Sequence, residues 1–168
     1  IWNIEDGSAL VLKGHREGVT YITYFDEGEK IATASNDGTA RIWDAKSGKL
    51  LHELTGHARA IVSLDASSSG AMIATASEDG TARIWDSKTG AERHVLSGHS
   101  GTVSAVCFSV DGERVVTASG SAFHLWNTKT GVVQHIFDGH SLPIRALEFS
   151  PTGQQVVSAA EDKMVGLW

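Results

Sequence analysis

The chain has one cysteine, two prolines and no run of basic residues among its 168 positions. A lone Cys107 cannot form an internal disulfide, so a reducing, cytoplasmic compartment is the expected setting. With so little proline there is no stiff linker to separate domains. Formal net charge is −6, and no Lys/Arg patch of the kind that tracks a phosphate backbone is present, so nucleic acid is not an expected partner. No apolar stretch approaches the roughly 20 residues needed to span a bilayer, so no membrane is expected either. The opening IWNIEDGSAL lacks the basic-then-apolar layout of a secretory leader.

What the chain does have is glycine, 18 of them, and a repeat. Gly-His pairs fall at 14–15, 56–57, 98–99 and 139–140, spaced 42, 42 and 41 residues. The five tryptophans, Trp2, Trp43, Trp85, Trp126 and Trp168, keep the same beat. Residues 35–44 and 77–86 differ at a single position, Asn36 against Glu78. Self-similarity at such a period marks a stacked array of equivalent units, about 3–43, 44–85, 86–126 and 127–168.

Within a unit the pattern is short strands and turns. In the second unit, strands are expected over 61–64, 72–77, 81–85 and 93–96. The Glu78-Asp79-Gly80 hairpin joins the middle two, since Asp and Gly tolerate the positive φ of tight turns. No stretch of ten residues has a helical period, and turns recur at intervals typical of all-β chains, about 8–12 residues. The fold class is all-β with about sixteen strands. A lone four-stranded sheet cannot bury both faces, whereas sheets stacked face to face around an axis can.

Gly56-His57, Asp79-Gly80 and Trp85-Asp86, with their equivalents in each unit, resemble the WD-repeat β-propeller family over the whole chain. The resemblance implies a propeller segment of about four blades, each of four antiparallel strands. It also implies a buried tetrad of His, Ser or Thr, Asp and Trp in each blade: His15, Thr33, Asp37 and Trp43; His57, Thr75, Asp79 and Trp85; His140, Ser158, Asp162 and Trp168. The chemistry is self-consistent, because a buried carboxylate is costly unless hydrogen-bonded and an imidazole can bridge it to a hydroxyl and an indole. The third unit departs. It keeps His99, Thr117 and Trp126, but its turn is one residue shorter and has no Asp. That blade is expected either to be the least rigid or to have its hairpin remodelled for a contact.

Family propellers are usually larger than four blades, and Ile1-Trp2-Asn3 duplicates the strand that ends at Trp168. The expectation is therefore a window of a longer array. A four-unit chain that closes alone, or pairs as a homodimer into an eight-bladed ring, is the alternative. The family implies binding of other proteins or peptides without catalysis, as a scaffold or recognition module. A sensor or regulatory domain of a larger signalling protein, or a propeller that completes its ring by oligomerisation, are further readings.

Recurring Ser, His and Asp invite comparison with a hydrolase, but a catalytic set occurs once and this one recurs blade by blade, with no Gly-x-Ser-x-Gly elbow. The eight histidines fall on periodic positions without metal-ligand spacing, so neither metal nor cofactor is expected. Cys107, in an apolar strand, reads as a small buried residue. For partner binding, the family's narrower face points to Thr20, Thr102, Arg59 and Arg145, and to the residues preceding the turn Asp: Asn36, Glu78 and Glu161. Arg145 stands out because interface hot spots favour arginine.

Overall fold

The computed structural model describes residues 1 and 7–168. Trp2 and Asn3, part of the tryptophan grid and of the duplicated strand end, lie outside the described residues. The molecule is built of four antiparallel meanders in chain order. The first holds β1 (Val19–Phe25), β2 (Lys30–Ser35), β3 (Ala40–Asp44) and β4 (Leu50–Leu54). The second holds β5 (Ile61–Ala66), β6 (Met72–Ser77), β7 (Ala82–Asp86) and β8 (Glu92–Leu96). The third holds β9 (Val103–Phe108), β10 (Arg114–Ser119), β11 (Ala122–Asn127) and β12 (Val133–Asp138). The fourth has three strands, β13 (Ile144–Phe149), β14 (Val156–Ala160) and β15 (Val165–Leu167). The expectation of four strands in every blade, about sixteen in all, is corrected to fifteen among the described residues. The reason is connectivity: the outer strand of each sheet follows its tryptophan, and Trp168 is the last residue of the sequence. The helical content is a single 3-10 turn, Asp26–Gly28. No helix among the described residues is long and apolar enough to cross a membrane.

Each core lies between two consecutive sheets, as the repeat requires. Ala32, Ala34, Ile42 and Leu54 of the first meet Ile61, Leu64, Ile73 and Trp85 of the second. Ala74, Ala76, Ile84 and Leu96 of the second meet Val103, Val106, Val115 and Trp126 of the third. Val116, Ala118 and Phe123 of the third meet Ile144, Phe149 and Val156 of the fourth. Alanines on the middle strands let the sheets approach closely, and the branched residues opposite fill the gap. Each Ile or Leu so enclosed contributes about 1.5–3 kcal/mol relative to exposure.

The inner strands also tie neighbouring sheets by polar contacts. The Asp65 carboxylate accepts the Phe108 N–H at 2.7 Å, and the Ser104 hydroxyl donates to the Ile144 carbonyl at 2.9 Å. Burial pushes the Asp65 carboxyl upward against these hydrogen bonds.

The outward faces of the array differ from the inner ones. Val19 and Ile22 of β1 are 55% and 59% exposed, whereas their equivalents Ile61 and Leu64 are enclosed. At the other end Val165 and Leu167 are each 70% exposed. Residue 1 also pairs with Leu10 through two backbone hydrogen bonds of 2.8 Å. That pairing repeats the β3–β4 register Ile42↔His52 one unit earlier.

Candidate functional site

The tetrads are assembled by three separate pieces of each blade. The Gly-His entry precedes the inner strand, the hydroxyl sits mid-way along the second strand, the Asp lies in the hairpin, and the tryptophan returns on the third strand. In the second blade His57 Nδ1 meets Asp79 at 2.8 Å and Nε2 meets the Thr75 hydroxyl at 2.8 Å, which accepts from the Trp85 indole N–H at 2.9 Å. The first blade repeats this with His15, Asp37, Thr33 and Trp43 at 3.0, 2.8 and 2.9 Å. The fourth does so with His140, Asp162, Ser158 and Trp168 at 2.8, 2.7 and 2.9 Å. A carboxylate can only accept, so Nδ1 carries the proton and the hydroxyl donates to Nε2.

The aspartates do more than bind histidine. Each accepts the backbone N–H of the residue after its histidine, from Arg16, Ala58 or Ser141, at 2.9–3.0 Å. Thr39 and Thr81 add hydroxyl and N–H donors. Burial alone would raise the Asp37 and Asp79 carboxyls, but these donors outweigh it and hold both well below the usual carboxylate range. For His57 burial is the larger influence and lowers its pKa despite Asp79. The hairpin owes its shape to Gly38 and Gly80, at φ 77° and 84°; the preceding aspartates need no positive φ, and the fourth blade places Lys163 there at φ 70°.

Sequence reasoning missed the arginines over the tetrads. Arg41 and Arg83 lie across Gly14 and Gly56, where an added Cβ would fall 1.8 and 2.6 Å from a guanidinium nitrogen. Arg83 is paired with Glu92, and Arg41 approaches Glu53 at 3.5 Å. The signal was legible in the repeated Thr-Ala-Arg-Ile-Trp of both units. Another missed contact is the histidine on the outer strand: His94 donates from Nε2 to the Lys129 carbonyl of the next blade at 3.1 Å.

The third blade keeps His99 Nε2 at 2.7 Å from Thr117, which accepts from Trp126 at 2.8 Å. Its two-residue turn, Gly120-Ser121, lets the Gly120 carbonyl accept the Ile144 N–H of the fourth blade at 2.8 Å. His124 takes the place of the arginine and stacks on Trp126. Burial, then the neighbouring His124, lowers His99 to about 4.

The residues expected to bind partners are all exposed, but two are already engaged. The Thr20 hydroxyl donates to the Ile61 carbonyl at 2.6 Å, making it a tie between blades. Arg145 donates to Glu161 from Nε at 2.8 Å and again from Nη2. Asn36, Glu78 and Glu161 occupy one repeated position, their N–H groups bound to the carbonyls of Gly18, Ala60 and Pro143. Arg59 and Thr102 face solvent beside them. Cys107 is half-buried, its thiol raised to about 11 chiefly by burial. Among the described residues no three His, Cys, Asp or Glu side chains are arranged to hold a metal ion.

Comparison with known proteins agrees with this geometry. The sequel-10 F-box/WD repeat-containing protein of Caenorhabditis elegans, named sel-10, is 34% identical over 55 residues, which is 32% of this chain and 9% of that protein. THO complex subunit 6 of Arabidopsis thaliana is 41% identical over 49 residues, 29% of this chain and 13% of the relative. THO complex subunit 3 of the same plant is 38% identical over 60 residues, 32% of this chain and 19% of the relative. The matched segments thus span less than a fifth of each curated relative. The family model described as WD domain, G-beta repeat matches four times, at residues 8–44, 48–86, 90–127 and 131–168. With four matches across nearly every residue and a hydrogen-bonded His–hydroxyl–Trp set in each blade, the chain belongs to the WD40 repeat family.

Proposed function

We propose that this chain is a non-enzymatic platform for binding other proteins or peptides, acting through the exposed residues beside the tetrads. The observation that carries this reading is how the reactive residue types are used. The recurring histidines, hydroxyls and aspartates are consumed in holding hairpins, blade after blade, while Arg59, Glu78, Thr102, Arg145 and Glu161 remain at the surface on repeated positions. A rigid frame with a variable charged rim suits recognition better than turnover. The paired Arg145 and Glu161 offer a partner either sign of charge after exchange of one ion pair.

The experiment is capture of partners from a cell extract by the intact protein, compared with Arg145→Glu and Arg59→Glu. Loss of specific partners with unchanged thermal unfolding supports this rim; an identical set of partners removes it. An intracellular, cytoplasmic setting belongs to the same proposal and rests on the single unpaired thiol. A second reading, ring completion by association, is favoured by one observation, the exposed apolar faces at both ends of the array.

A further inference from the structure

The third blade holds a donor with nothing to accept it. His99 Nδ1 is buried and has no hydrogen-bond partner among the described residues. Thr117 has no acceptor other than His99 Nε2, so its hydroxyl proton lies on that side and the imidazole proton lies on Nδ1. The Ser100 N–H, which follows His99 in the chain, is also without an acceptor among the described residues. Those two groups are the pair that, in the other three blades, grips a carboxylate: Nδ1 at 2.8–3.0 Å and the next N–H at 2.9–3.0 Å.

The space around them is open. An added Cβ at Gly98 or Gly101 would meet nothing within 4 Å, and at Gly120 only the Ser100 hydroxyl at 3.8 Å. Gly14 and Gly56, by contrast, are roofed by Arg41 and Arg83. The residue in the arginine's position is His124, itself 7% exposed, with a second unpartnered Nδ1 and its ring 4.7 Å from that of His99. The shortened hairpin has therefore removed the internal acid and the roof together, while the receiving groups stay in place.

We propose that this notch is a carboxylate receptor, taking from outside the chain the acid that Asp37, Asp79 and Asp162 supply from within. A carboxylate fits better than a metal cation, because Nδ1 presents a proton and not a lone pair. The source is either a small carboxylic acid or an Asp or Glu side chain of a bound segment. The inference holds whether or not the Arg59 and Arg145 rim captures protein.

The test is a titration of the intact chain, labelled with nitrogen-15, followed through its imidazole resonances at pH 7. Sodium formate is added against an equal concentration of sodium chloride. The His99 Nδ1 signal is expected to move to saturation with formate, while His15, His57 and His140, already bound to aspartate, stay still. A capped Ala-Asp-Gly peptide and its Ala-Asn-Gly counterpart form the second arm. Saturation at lower concentration with the Asp peptide than with formate assigns the site to acidic side chains; saturation at equal or lower formate concentration assigns it to small acids. An unmoved His99, the same shift from chloride, a common shift of all four histidines, or an equal response to the Asn peptide would overturn the proposal.

Discussion

A single carboxylate decides how firmly each hairpin is held. Asp79 joins the His57 ring, the Ala58 N–H and Thr81, so its removal leaves several enclosed donors unanswered. Asp79→Ala is expected to lower stability by about 1–3 kcal/mol, read as a shift in the denaturant midpoint; an unchanged midpoint would show that the network is not holding the blade. The buried histidines set a pH dependence. Burial depresses His57, His124 and His99, the last to about 4, so the unfolded chain binds protons that the folded one refuses. Their contribution is complete above about 6.5 and is lost as pH falls toward 4. The depressed Asp37 and Asp79 add a second loss below 3.8. Melting temperature is therefore expected to fall in two stages between pH 7 and pH 3, and a flat profile from 7 to 4 would contradict the first stage.

At the scale of the element, the same strand-and-hairpin plan is finished differently in each blade. Gly56 sits beneath Arg83, whereas Gly98 faces open space, although both have positive φ. Gly56→Ala is expected to cost about 1–3 kcal/mol more than Gly98→Ala, since it must also displace the guanidinium from Glu92. Equal midpoints for the two variants would mean that the arginine roof yields freely. The third hairpin shows what a deletion can do in an array of this kind. Losing one residue removed the aspartate, yet the turn gained a backbone bond to the next blade through Gly120. Of the two outcomes the sequence left open for this blade, the geometry supplies a remodelled contact.

Across the whole molecule, each sheet depends on its neighbour for burial. The first and last sheets expose the positions that are enclosed elsewhere, Ile22 against Leu64 being one such pair. The 168-residue chain is accordingly expected to associate in solution, with Ile22→Glu and Val165→Glu each reducing association in light scattering. A discrete dimer would favour paired arrays, and a strictly monomeric parent would remove the association reading.

The sequence by itself determined the period, the strand pattern and three complete tetrads, because hydrophobic alternation, turn residues and the Gly-His and Trp grid are local or recur at fixed spacing. Only the tertiary structure decided what depends on meetings between distant residues. Thr20 looked like a free rim residue until its hydroxyl was seen to bind Ile61, forty-one positions away. Arg145 and Glu161 stood as separate candidates until they were found paired. The Arg83 roof over Gly56 and the unanswered proton of His99 likewise arise from which side chains share a space, a property that no spacing along the chain contains.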